Sequence, residues 1–100
     1  MKTYEHITAM ENIMVEQEEL LRKLKAVLND LEQHQEDCRA LAAYYCSDQR
    51  EQDLQDDEQH LIPEDLRRGV LSEDGIYNFL GEYYQTGIRM MELALKMIKI

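Results

Sequence analysis

The fold is decided by residues 3–45, TYEHITAMENIMVEQEELLRKLKAVLNDLEQHQEDCRALAAYY, in which apolar residues recur at alternating intervals of three and four. A repeat with this period of 3.5 residues is typical of helices that pack as a coiled coil. Only Gln17 and Gln35 are polar among the twelve positions of the repeat: Ile7, Met10, Met14, Gln17, Leu21, Leu24, Leu28, Leu31, Gln35, Cys38, Ala42 and Tyr45. A third heptad position is mostly aliphatic as well, so the apolar face is wide enough for more than one neighbouring helix.

The repeat is weakest between Asn29 and Asp37, where polar residues cluster. We predict one helix over about residues 3–46, with Thr3 as its N-cap, and we leave open a break near His34 that divides it into two segments. The whole chain contains one Pro and four Gly, and all five follow residue 60. Because a β architecture needs turn signals throughout, this distribution predicts an all-α fold.

The next part of the chain is strongly acidic. Residues 48–58 contain six acids, one Arg and a single apolar residue, Leu54. We interpret residues 47–62 as a solvated linker that holds at most a short helical turn. A short helix is then predicted over residues 63–69, because Pro63 suits a first helical position and Gly69 suits a left-handed helix end.

The last helix is predicted over residues 72–99, with Ser72 as its N-cap and Leu71 and Ile76 in apolar contact across the cap. Its polar residues form a stripe only two heptad positions wide, so most of its sides should be buried. Gly81 and Gly87 lie inside this helix, where each costs about 1 kcal/mol relative to Ala, which predicts a close neighbour at both levels.

These features together predict a single helical domain over residues 1–100, packed as an antiparallel helical hairpin or bundle. The N-terminal helix alone covers only part of the apolar circumference of the C-terminal helix. If the N-terminal helix breaks near His34, its halves and the short helix can enclose the C-terminal helix within one chain. If it stays straight, two chains pair into a dimeric four-helix arrangement, which is the interpretation we favour.

Residues 63–80 are the most distinctive part of the sequence, particularly Pro63, Asp65, Leu66, Arg67, Arg68, Gly69, Val70, Leu71, Ser72, Glu73 and Asp74. With the preceding Tyr44-Tyr45 pair and the acidic stretch, they resemble family 4298 of the bacterial domains of unknown function over roughly residues 5–95. The sequence departs from the family pattern in having no aromatic residue in the linker after Ser47. The resemblance implies a bacterial or phage source and no particular activity.

The composition argues against several function classes. A formal net charge of −10 repels nucleic-acid backbones and anionic lipid surfaces. No apolar run reaches the roughly 20 residues of a membrane span, and the N-terminus does not resemble a secretion signal, so we expect a cytoplasmic protein. Cys38 and Cys46 are expected to be reduced, since eight residues of helix separate them by about 12 Å.

No catalytic, cofactor-binding or metal-binding constellation is present in the sequence. The three His residues are far apart, and the only acid-x-x-His pair, Asp57 and His60, falls short of a di-iron motif. We therefore expect no enzyme activity, no cofactor and no metal.

The predicted interaction surface joins two features, a basic pair and a column of the last helix at intervals of seven: Arg67, Arg68, Tyr77, Tyr84, Met91 and Ile98. For the arginines, the competing interpretation is helix termination with ion pairs to the acids at residues 48–58. For the column, it is an ordinary helix core.

The leading hypothesis is a non-enzymatic helical interaction module, coiled-coil in character, that forms a homodimer and acts as adaptor, regulator or inhibitor of an unidentified protein. One alternative is an acidic nucleic-acid mimic that inhibits a DNA-binding protein. A carboxylate-based metal enzyme is the other alternative.

Overall fold

The computed structural model describes residues 2–100, which form helices and connecting turns. The helices are α1 (Glu5–Gln33), α2 (Gln35–Tyr45), α3 (Asp48–Glu58) and α4 (Gly75–Ile98), with a single 3₁₀ turn, Gly69–Leu71, before α4. No strand occurs among these residues, which confirms the all-α class. The chain divides into two compact units, the first ending at Asp37 and the second comprising Cys38–Ile100.

The break near His34 that the sequence leaves open is present, so residues 3–46 do not form one continuous helix. The backbone N–H of His34 and its ring Nδ1 both donate to the carbonyl oxygen of Asp30, at 3.1 and 2.7 Å. The Gln35 amide donates to the carbonyl oxygen of Leu31 at 3.1 Å. These bonds satisfy carbonyls that a helix end leaves free, so α1 ends at Gln33 and α2 begins two residues later.

The N-terminal boundary of α1 differs from the prediction. Tyr4 occupies the cap position and no side chain caps the helix, so Thr3 is not the N-cap. Inside α1 no residue is buried, and Glu19 and Arg22 form an exposed ion pair one turn apart.

The predicted acidic linker is largely helix α3. Its first turn is capped by the Ser47 hydroxyl, which accepts from the backbone N–H of Arg50 at 3.1 Å. Acids in the first turn favour the positive end of the helix dipole, and Gln49 and Gln52 each donate to the Asp four residues later. Residues 48–58, whose composition predicts a solvated connection, therefore form a helix that local polar contacts stabilise.

The end of α3 is closed by His60, which has a φ of 59°. Its N–H donates to the Asp57 carbonyl at 3.1 Å, and the N–H of Leu61 donates to the Asp56 carbonyl at 2.9 Å. This pair of bonds is a Schellman motif with His in the left-handed position that Gly usually occupies.

The short helix predicted over residues 63–69 is wrong. Pro63 begins only a turn, closed by a bond from the Leu66 N–H to its carbonyl at 3.1 Å. No glycine among the described residues has a positive φ, so Gly69 is not a left-handed helix end and instead begins the 3₁₀ turn. A helix does not form here because Arg68 pairs with Asp57 of α3, and Arg50 of α3 binds the backbone carbonyls that follow the segment, as described below.

Helix α4 begins at Gly75, three residues later than predicted, with Asp74 at the N-cap position, so Ser72 is not the N-cap. The Ser72 hydroxyl still accepts the N–H of Gly75 at 3.1 Å while donating to the Gly69 carbonyl at 2.7 Å. Ile76 is 3% exposed and is the only buried residue in residues 2–100. The buried part of α4 is thus its first turn. The hairpin, the bundle and the dimer that are expected to bury the rest of α4 stay predictions.

Candidate protein-interaction site

The second unit is held together at one end by polar contacts from α3. Arg50 donates from Nε to the Val70 carbonyl at 3.2 Å and from Nη2 to the Ser72 carbonyl at 3.3 Å. Its guanidinium also lies over the Tyr45 ring, 5.0 Å from the ring centre. A single side chain therefore connects α2, α3 and the 3₁₀ turn that precedes α4.

A second contact joins α2 to α3. The Tyr44 hydroxyl donates to Asp53 Oδ2 at 2.6 Å, and Gln49 donates to Asp53 Oδ1 at 2.8 Å. These two donors lower the pKa of Asp53 because they stabilise its carboxylate. Burial raises the pKa of Tyr44, and the hydrogen bond to Asp53 raises it further.

The two arginines of the predicted surface have different environments. Arg68 donates to Asp57 Oδ1 at 3.0 Å, and both side chains are half-buried. Arg67 is exposed and makes no hydrogen bond or ion pair with the described residues. The predicted ion pair to the acids at residues 48–58 is therefore present for Arg68, whereas the predicted helix termination is not, because no helix forms over residues 63–69.

Arg67 lines two shallow grooves beside the 3₁₀ turn, of about 430 and 330 Å³. On α4 the larger groove is lined by Ile76 and Phe79, and neither belongs to the column of Tyr77, Tyr84, Met91 and Ile98. The predicted surface is thus two separate features, a cation beside the 3₁₀ turn and an apolar column along α4.

The column on α4, which we call the α4 stripe, consists of Tyr77, Tyr84, Met91 and Ile98. These four side chains are 65%, 67%, 70% and 79% exposed. The less exposed large residues of α4 are not members of the stripe: Ile76, Leu80, Tyr83 and Ile88. The 3₁₀ turn packs against α4 at its N-terminal end, which leaves the stripe uncovered along its length.

The glycines of α4 also lie in open space. A Cβ atom added at Gly81 or Gly87 meets nothing within 4 Å. The close neighbour that the sequence predicts at these two levels is therefore not supplied by residues 2–100 of the same chain. The packing of a single chain therefore gives no reason for glycine at these two positions, where each costs the helix about 1 kcal/mol relative to Ala.

Sequence reasoning did not find Arg50, Tyr44 and Asp53. The available signal was that Arg50 is the single base among six acids, which favours a role for its charge. Its actual contacts are backbone carbonyls twenty or more residues away, and such partners leave no pattern in a sequence.

A family model described as "Domain of unknown function (DUF4298)" matches residues 7–93. The chain belongs to this family. The match confirms the resemblance carried by the segment around Pro63 to Asp74, and it brings no activity to this DUF4298 domain. No curated protein and no solved structure matches the chain.

Three further properties of the described residues bear on the site. No group of three or more His, Cys, Asp or Glu side chains within residues 2–100 is placed to hold a metal ion. Likewise, no helix in this part of the chain is both long and apolar enough to cross a membrane. Cys38 and Cys46 are both free.

Proposed function

We propose that this DUF4298 domain is a non-enzymatic protein-interaction module that self-associates through the apolar face of α4. The observation that carries the proposal is the exposure of the α4 stripe, 65–79% at four large side chains in one line. Apolar patches of this kind on soluble proteins mark interaction surfaces. In a cell the module acts as an adaptor, regulator or inhibitor of another protein.

The internal contacts of the second unit support this proposal. Arg50, Tyr44 and Arg68 connect α2, α3 and the 3₁₀ turn, and they leave the stripe residues beyond Tyr77 without a role in the fold. Apolar side chains that do not stabilise the fold of their own chain favour a role in binding.

Sedimentation over a concentration series tests the proposal. We expect reversible dimers in the wild type and monomers in a Tyr84→Gln, Met91→Gln double variant. Each stripe side chain contributes about 1.5 kcal/mol on burial, so removing two of them should raise the dimer Kd by at least about 100-fold.

The matched control is Gln85→Ala with Glu92→Gln, next to the two stripe positions on the polar side of α4. This variant should associate like the wild type. A wild-type protein that stays monomeric at every concentration and binds no apolar dye contradicts the proposal.

The acidic nucleic-acid mimic stays an alternative prediction. It is tested by competition with DNA for a cationic DNA-binding protein at low salt, where an acidic mimic competes most strongly.

A further inference from the structure

The apolar faces of both long helices are exposed. In α1 the heptad residues Ile7, Met14, Leu21 and Leu28 are 56%, 50%, 42% and 37% exposed, and in α4 the stripe is more exposed still. Both sets repeat every seven residues. At 1.5 Å per residue, α1 is about 44 Å long and α4 about 36 Å, so α1 is long enough to cover α4 completely.

The charges of the two helices are complementary in one orientation only. Residues 5–19 of α1 have five acids and no Lys or Arg, whereas residues 86–99, the second half of α4 with its C-cap Lys99, have three bases and one acid. Residues 20–33 have a net charge of +1 and residues 75–85 have a net charge of −1. Antiparallel pairing places opposite charges together in both halves, and parallel pairing places like charges together in both halves.

The heptad spacing then selects one register. Placing Ile7 opposite Ile98 aligns the remaining heptad residues Met14, Leu21 and Leu28 with the rest of the stripe, Met91, Tyr84 and Tyr77. In this register Gly75 and Ile98, the ends of α4, lie opposite Asp30 and Ile7, so α4 is covered throughout. A shift of one heptad in either direction leaves one end of α4 beyond the end of α1.

We propose that the α4 face is covered by α1 of a second copy of this chain, antiparallel and with Ile7 opposite Ile98. The inference rests on the proposed function and adds the identity of the partner surface. Two such pairs related by a two-fold axis form a closed assembly in which each copy contributes one α1 and one α4.

This register also supplies neighbours for the glycines of α4. Leu24 of the second copy lies at the level of Gly81, and Glu18 lies at the level of Gly87. The large aliphatic side chain of Leu24 packs well against a position without a Cβ atom, and the missing Cβ atom at Gly87 leaves room for the Glu18 side chain. The open space at both glycines in the single chain is therefore space for the second copy.

Disulfide trapping tests the pairing directly. Two proteins are prepared in a Cys38→Ala, Cys46→Ala background, one with Ile13→Cys and one with Ala94→Cys, and are mixed in a glutathione redox buffer. In this register Ile13 lies opposite Glu92, which is two residues or about 3 Å along the helix axis from Ala94, so we expect a mixed disulfide of twice the chain mass. Leu80→Cys in place of Ala94→Cys is the orientation control and should give at least tenfold less product.

Each other outcome overturns the inference. A mixed disulfide with Leu80→Cys instead of Ala94→Cys indicates a parallel pair. A protein with Ile13→Cys and Ala94→Cys in one chain that closes at monomer mass, without mixed product, shows that α1 covers its own α4. A dimer in sedimentation that gives no disulfide in any mixture refutes the α1 pairing while leaving the proposed function intact.

A second variant separates association from folding. Gly81→Leu introduces a side chain where the single chain has no atom within 4 Å of the Cβ position, so helix content should not fall. We expect it to raise the dimer Kd at least tenfold by colliding with Leu24 of the second copy. Thr86→Leu, on the opposite side of α4, should leave the Kd unchanged, and equal Kd values for both variants overturn the register.

Discussion

The start of α4 depends on the absence of a side chain at Gly75. A Cβ atom there would overlap both the carbonyl oxygen of Gly69 and the hydroxyl oxygen of Ser72. The hydroxyl can rotate away, but it then loses its bonds to the Gly75 N–H and the Gly69 carbonyl. The carbonyl belongs to the backbone of the 3₁₀ turn, which packs against both α3 and α4.

The size of the Gly75→Ala effect follows from these contacts. In an open helix the same substitution stabilises by about 1 kcal/mol. At Gly75, loss of the Ser72 hydroxyl's hydrogen bonds costs about 1 kcal/mol, and displacement of the 3₁₀ turn beside the buried Ile76 adds about 1–2 kcal/mol. We expect a net destabilisation of about 1–2 kcal/mol once the gain in helix propensity is included.

Gly69→Ala is the matched control, because a Cβ atom at Gly69 meets nothing within 4 Å and its φ is not positive. It should stabilise by about 0.5 kcal/mol through the unfolded state. Urea unfolding followed by tyrosine fluorescence suits the measurement, since five of the six tyrosines lie in Cys38–Ile100. All samples are compared at one protein concentration.

A third variant identifies the cause. In Ser72→Ala the hydroxyl is absent, so one part of the Gly75→Ala penalty no longer arises. The Ser72→Ala, Gly75→Ala double variant should therefore be destabilised by less than the sum of the two single effects. If Gly75→Ala is as stable as the wild type or more stable, the close approach of Gly69 and Ser72 to Gly75 is refuted.

Three further predictions concern α3 and its partners. His60→Gly should stabilise by about 1 kcal/mol, because His60 holds a φ of 59°, whereas His60→Ala keeps that strain and should give no gain in urea unfolding. The lowered pKa of Asp53 stabilises the folded state above pH 3.8, the ordinary pKa of Asp, and this stability is lost as pH falls through the folded-state pKa. The raised pKa of Tyr44 stabilises the folded state below pH 10.0, and this stability is lost as pH rises through the folded-state pKa. Tyr44→Phe should therefore reduce the dependence of the urea midpoint on pH in both the acid and the alkaline range. Arg68→Met should cost up to about 1 kcal/mol because it leaves Asp57 unpaired, whereas Arg67→Met should leave the midpoint unchanged, and equal effects would contradict the difference between the two arginines.

The sequence predicts the helices that have an apolar period and fails where helices depend on polar contacts. The heptad residues from Ile7 to Tyr45 predict one long helix over the span of α1 and α2, and the polar cluster around His34 leaves open the break that divides them. Residues 48–58 have only Leu54 as an apolar residue, so no period signals α3. Its helix forms from Gln, Glu and Arg, which are good helix formers, and from the Ser47 cap.

The segment between α3 and α4 shows the opposite error. Pro63 and Gly69 have the positions of a helix start and end, and local rules therefore predict a helix between them. Arg50 instead holds the carbonyls of Val70 and Ser72, and Asp57 pairs with Arg68. These contacts join residues 11 to 22 positions apart, so they are invisible to a local pattern and override it.

The positions of these contacts separate folding from association within α4. Gly75 and Ile76 in the first turn of α4 connect it to the rest of the second unit, and Phe79 in the next turn lines the groove beside the 3₁₀ turn. Tyr84, Met91 and Ile98 lie two to six turns beyond them and are 67–79% exposed. Substituting Met91 by Gln should therefore leave the urea midpoint of a dilute, monomeric sample within about 0.5 kcal/mol of the wild type, while weakening the dimer. If dilute Met91→Gln unfolds as easily as a Gly75→Ala variant, the stripe belongs to the core of the single chain, and the interaction surface must be sought at Arg67 instead.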